Sequence, residues 1–214
     1  MLLPLKDGEL QRLIPAIATG PQFNASSGSP QQVLQRVLIA VIGGVLALLV
    51  SQSQFSTQWG GVFMVVGFVF FFYLLWGPIL AAGQRNNVLR RYPAAAIFEG
   101  RIADLFTRER LEGRQEQTDQ SGRLELVENR RTWLCLELED QDGYLGQIRF
   151  PYDKKHKPIR PGMVIRCLVL SERKDFSRIS ALSDGWIPQL KLWVGDYPYL
   201  LRPAFEELCL RRLR

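Results

Sequence analysis

The 214-residue sequence has one histidine and three cysteines, and no CxxC pair. Cys135, Cys167 and Cys209 stand far apart. An odd, scattered set of thiols argues against a disulfide framework and against a zinc site of ordinary ligand spacing. It fits reduced, packed thiols on a cytosolic side. The lone histidine, His156, lies in "DKKHKP", an exposed-looking run where neighbouring lysines oppose its protonation, a poor setting for catalysis. Also missing are GxSxG, HExxH, a P-loop and a GxGxxG in strand-to-helix context. Asp184 in "SDG" and Asp196 in "GDY" read as turn or cap residues. Without a convergent acid, base, nucleophile or ligand set, the expectation is a non-enzymatic protein with no cofactor and no metal.

Charge is absent from two long stretches. "VLIAVIGGVLALLV" (Val37 to Val50) has none, and it extends back through Val33 and Leu34, with Arg36 able to snorkel to headgroups. "WGGVFMVVGFVFFFYLLWGPIL" (Trp59 to Leu80) is apolar throughout, with Trp59, Tyr73 and Trp76 towards its ends as an aromatic belt would have it. With flanking residues, each run reaches the roughly 20 apolar residues that cross a bilayer. A buried helix hairpin of a soluble protein is the alternative, but so short a chain offers few partners to bury both runs. A cleaved signal peptide fits less well, because the first run lies behind a polar Ser/Gly/Gln segment and the second follows at once. Neither apolar core holds an ionisable residue, which argues against a transport or ion path.

Lys6, Arg12 and Arg36 precede these runs, Arg85, Arg90 and Arg91 follow, and "SQSQFSTQ" between them is uncharged. The positive-inside rule then places both termini in the cytoplasm, or in the stroma of a plastid-type membrane. Ala40, Gly43, Gly44 and Ala47, with Gly60, Gly61 and Gly67, supply small residues that let helices approach closely or dock on a larger complex. Ahead of the first run, "GELQRLIPAIATG" has the pattern of a short amphipathic helix lying along the membrane surface.

From about Ala94 the apolar period becomes that of strands. "AIFEGRIADLF" holds Gly100 inside an alternation, the usual mark of a bulge or barrel corner. "RTWLCLELED" puts Leu134, Leu136 and Leu138 on one face and Trp133, Cys135 and Glu137 on the other. Asp142-Gly143 is a hairpin turn and "RPG" (Arg160 to Gly162) another. "MVIRCLVL" turns Met163, Ile165, Cys167 and Val169 inward, and "SRISALSDGWIP" gives a last strand. The polar run at 107–123 reads as an exposed mobile loop or the tip of a long hairpin. Five short strands closed by turns suggest a small antiparallel barrel, OB-like or SH3-like.

The expected fold class is therefore an α+β membrane protein: a transmembrane helical hairpin, a small antiparallel β-barrel and a C-terminal helix. Its parts are an interfacial segment (1–32), the hairpin (33–83), the barrel (94–188), and an aromatic strap with the final helix (189–214). In that helix Pro203 suits the first turn, Arg211, Arg212 and Arg214 the last, and Phe205, Leu208 and Cys209 the apolar stripe. The strap "LKLWVGDYPYLLRP" concentrates aromatic side chains, and Pro198 suits it to an extended path rather than a central strand. Exposed aromatics beside arginine form interface anchors, which makes Trp193, Tyr197, Tyr199 and Arg202 the candidate partner-binding residues. Trp193 is expected to pack on the barrel, with Tyr197 or Tyr199 more open.

"LIPAIATGPQF", "SDGWIP" and "LWVGDYPYLLRPAF" resemble segments of a poorly characterised group of cyanobacterial thylakoid membrane proteins. The resemblance implies a thylakoid location and an accessory or assembly role around photosynthetic membrane complexes, with the lipid bilayer and complex subunits as partners. The layout of membrane helices before an OB-like barrel also resembles NfeD-like proteins, which implies stomatin-type scaffold partners instead. A nucleic-acid-binding OB-like module is a further alternative. Acids interleave with the arginines in "TRERLEGRQE" and "LVENRRTW", so no nucleic acid is expected.

Overall fold

The computed structural model describes residues 1–52, 60–118, 124–141 and 143–213. Trp59, most of the connection between the apolar runs, the tip of the polar run and Asp142 lie outside them. The chain divides into two compact units, one of residues 1–13 with 91–214 and one of 14–90. The mixed α+β class agrees with the sequence, but the N-terminal segment is shared between the two units.

In the helical unit, α2 (Gly20–Ser27) leads to α3 (Pro30–Gln52), the one described helix long and apolar enough by itself to cross a membrane. The second apolar run departs from the expected single span. It forms α4 (Gly60–Phe71) and α5 (Tyr73–Arg90), bent by 70° at Phe72. Val69 would offer its carbonyl to the amide of Tyr73 in an unbroken helix. It accepts instead from the Trp76 indole at 2.8 Å, which keeps a polar group satisfied at the break.

Small residues join α3 to α4. A Cβ placed on Gly67 would stand 3.1 Å from the Ala47 methyl, and one on Gly43 would enter the Phe70 ring. Such contacts bring backbones together where side-chain burial cannot. Towards its end, α5 is tied to the segment before α3 by polar side chains. Asn86 donates to the Pro15 carbonyl at 2.9 Å and to Gln22 Oε1 at 3.0 Å, and Arg90 donates to the Ile14 carbonyl at 2.6 Å. Gln22 and Asn86 are fully buried, so each depends on these bonds. Arg36 turns back to the Ser26 and Ser27 carbonyls at 3.0 and 2.9 Å, closing the last turn of α2.

The other unit is a curled antiparallel sheet. Its ladder runs β4 (Gly143–Pro151), β3 (Leu124–Asp140), β2 (Ala94–Thr118), β5 (Val164–Ser171), β6 (Ile179–Ile187) and β7 (Leu192–Val194). A further strand, β1 (Leu2–Pro4), pairs with β2 at Ala96 to Phe98. The expected closed five-stranded barrel is thus a half-barrel of seven strands, with β4 and β7 at the ends of the ladder. Its curl brings Leu182 of β6 against Gly146 of β4 without a ladder between them. The polar run extends the β2–β3 hairpin as far as the pair Thr118–Leu124, so strand structure covers residues read as a loop or hairpin tip.

The strand alternation sets the core. Leu134, Leu136 and Leu138 of β3 meet Ile165, Cys167 and Val169 of β5 around Phe98 and Phe150. The outward Leu168 and Leu170 of β5 are buried too, so the central strand is covered on both faces. Gly100 shows why β2 can turn. A Cβ there would lie 2.3 Å from the Glu139 carbonyl and 2.2 Å from the Phe98 ring, and the register with β3 shifts just beyond it, between Ile102 and Asp104. The final helix, α6 (Arg202–Arg212), takes Pro203 in its first turn and buries Phe205, Leu208 and Cys209. The short α1 (Glu9–Leu13) buries Leu10 and Leu13 and meets α6, where Arg212 pairs with Glu9 at 2.9 Å. Residues 8–13, the first part of the segment expected along a membrane surface, therefore contribute to the sheet unit.

Candidate functional site

The strap begins as β7, an edge strand whose Trp193 sits opposite Trp186 of β6. Beyond Val194 it leaves the ladder and runs to α6. Three features hold it. Gly195 crosses directly over Asp184 at φ +151°, where a Cβ would stand 2.9 Å from the Asp184 Cβ, so only glycine fits. The Leu200 amide donates to Asp184 Oδ1 at 3.1 Å, and the Leu201 amide donates to the Leu13 carbonyl at 2.8 Å. Tyr197 is buried at 4% exposure and meets Tyr199 edge to face at 4.7 Å.

Trp193 belongs to a column of stacked groups. Arg166, paired with Glu99, lies 5.6 Å from the Trp186 ring. Trp186 stacks on Trp193 at 6.4 Å, and Arg202 stands 5.3 Å from the Trp193 ring. The Trp193 indole also donates to Glu206 at 2.9 Å and touches the Phe205 ring edge-on. Each contact fixes the ring that carries Arg202.

Beside the strap opens a cleft of about 350 Å³. One bank holds Trp193, Asp196, Tyr197 and Arg202; the other holds Arg131, Phe150, Tyr152, Asp153, Lys155 and His156. Of the residues expected to bind a partner, Trp193, Tyr197 and Arg202 therefore meet in one cleft. Tyr199 lines a second cleft of about 140 Å³ that shares Asp184 and Tyr197. Trp193 and Tyr199 are both half-buried and Tyr197 is buried, so Tyr199 is the more open tyrosine.

Two residues of the site contradict their local sequence. His156 is not exposed: its ring packs edge-on against Phe150 at 4.7 Å, and its Nδ1 accepts the Asp153 amide at 3.0 Å. Burial, with Lys155 nearby, lowers its pKa, so the ring is a neutral cap with its proton on Nε2. Asp184 is not in a turn. It lies inside β6 at 3% exposure, and among the described residues its Oδ2 has no hydrogen-bond partner. Burial raises its pKa to about 7, against the bond from Leu200 and the field of Arg202. No signal in "SDG" marks this, because the burial comes from a strap that lies later in the chain.

The three thiols are free and buried. Burial pushes Cys167 well above the ordinary thiol range and Cys209 up to about 12, so neither offers a thiolate near neutral pH. Among the described residues no cluster of three or more His, Cys, Asp or Glu has a metal-binding arrangement.

No curated protein matches the chain. No solved structure matches it either. A family profile covers residues 3–214, nearly the whole chain and both units. The protein belongs to that family, described as a family of unknown function (DUF8619).

Proposed function

We propose that the protein is a membrane-anchored, non-enzymatic docking protein, whose sheet unit binds a subunit of a membrane complex at the cytoplasmic or stromal face. The carrying observation is an inside-out pattern in the helical unit. The buried residues of α3 are Ala40, Gly44 and Ala47, and that of α4 is Gly67. The large side chains point away: Leu49, Met64, Phe68 and Phe71 are each at least 60% exposed. In water each such side chain forgoes about 1–2 kcal/mol of burial, whereas lipid makes the arrangement favourable. In this reading α3 is one span and the bent pair α4–α5 returns the chain to the same side, with the basic residues flanking both runs held there.

The cleft supports the docking half of the reading. Preformed aromatic walls and a stacked arginine are the ingredients of an interface anchor. The resemblance of the strap and its flanks points to a thylakoid complex as the partner and to an accessory or assembly role. Purification from native membranes in mild detergent, followed by mass spectrometry, tests the proposal. Subunits of one membrane complex should copurify in fixed proportion. Stomatin-type scaffold proteins in their place would favour the NfeD-like alternative, and recovery of the chain alone would refute docking.

A further inference from the structure

The cations of the strap cleft are not equivalent. Arg131 is paired with Glu112 at 3.4 Å, and Lys155 reaches Asp153 at 3.7 Å. Arg202 is exposed, stacked on Trp193, and has no ion-pair partner among the described residues. Its ring support is itself fixed by Glu206, Phe205 and Trp186. An arginine stacked in this way keeps its planar fork of donors free and oriented, which suits two parallel bonds to one carboxylate.

The rim also carries Asp153 and Asp196. These acids repel a continuous polyanion, such as a lipid surface or a nucleic-acid backbone, because both present negative charge along their whole length. A peptide can place one carboxylate on Arg202 and turn neutral or basic side chains towards the two acids. The cleft is at the small end of ligand pockets, which fits a short segment rather than a folded surface. We infer that the strap cleft takes a peptide segment of the partner protein that carries a single acidic side chain, its carboxylate held by Arg202. This rests on the docking reading above and names its recognition chemistry.

The test is fluorescence anisotropy on the full chain in mild detergent. The probe is a labelled, C-terminally amidated peptide with a single glutamate flanked by glycine and lysine; its glutamine counterpart and phosphatidylglycerol vesicles are the comparisons. The glutamate peptide should bind and the glutamine peptide should not. Arg202→Gln, an exposed substitution whose folding is checked by a cooperative melting transition, should weaken binding at least about tenfold. Arg202→Lys keeps the charge, loses the fork, and should fall between. Equal binding of the two peptides, no binding of the glutamate peptide, vesicle binding alone, or unchanged affinity in Arg202→Gln would each overturn the inference. Copurification separates the two levels of the argument. A partner complex retained by Arg202→Gln leaves docking intact and removes the cleft, whereas no complex with the parent chain removes docking itself.

Discussion

Replacing Asp184 with asparagine should make the protein more stable above neutral pH. The carboxyl lies inside β6, accepts one bond from the strap at Leu200, and has no partner on Oδ2 among the described residues. Its pKa rises from 3.8 to about 7, chiefly through burial. A carboxyl raised by folding binds its proton more tightly in the native state. Stability is therefore greatest while the group is protonated, and it declines as pH rises from the unfolded value towards the folded one. At about 1.4 kcal/mol for each tenfold change in proton affinity, ionisation between about pH 5 and 7 costs on the order of 3 kcal/mol. The charged groups around it are few: Arg202 favours the carboxylate, and the raised Cys167 thiol stays neutral.

Asparagine keeps the acceptor for Leu200 and cannot ionise. His156 titrates with the opposite sign, since its lowered pKa removes stability as pH falls below 6.5. The informative quantity is thus the melting-temperature difference between Asp184→Asn and the parent, followed by tryptophan fluorescence in detergent. That difference should grow in favour of the variant from about pH 5 to 7, by on the order of 10 °C, and then level off. A constant difference across this range would refute the buried, protonated carboxyl.

Three further outcomes follow from packing. Gly100→Ala should destabilise the sheet unit by about 1–3 kcal/mol in thermal unfolding, because its methyl meets the Glu139 carbonyl as well as the movable Phe98 ring. Gly67→Leu should part α3 from α4, where Gly67 approaches Ala47, and crosslinking between cysteines introduced on these helices should fall. Cys135, Cys167 and Cys209 should react slowly with a thiol reagent in the native state and fully after unfolding; rapid native labelling would contradict their burial.

The elements legible in the sequence are those set by local pattern. The leucine alternation of β3, the Arg160 to Gly162 turn with Gly162 at φ +84°, and the proline-started α6 all stand where residue spacing puts them. Long-range pairing was not legible. Leu2 to Pro4 become a strand only because Ala96 to Phe98 lie opposite, and three residues carry no period of their own. His156 and Asp184 are buried by groups outside their own polar runs, Phe150 and the strap. Apolar content marked the second hydrophobic run, yet content is blind to the bend at Phe72, which depends on how Trp76 folds back to Val69. In the strap, composition identified the aromatic cluster, and the stacked column from Arg166 to Arg202 needed the pairing of β6 with β7.

The central claim, a bilayer-anchored chain with its sheet unit on the cytoplasmic or stromal side, is tested most directly by protease protection in sealed vesicles that enclose that side (right-side-out from a plasma membrane, inside-out from a thylakoid), with a separate portion washed in alkaline carbonate. The chain should stay with the vesicles, and an epitope fused after Arg214 should survive protease until the vesicles are opened. Loss of the chain in the wash, or digestion of residues 94–214 while the vesicles are still sealed, would contradict the account.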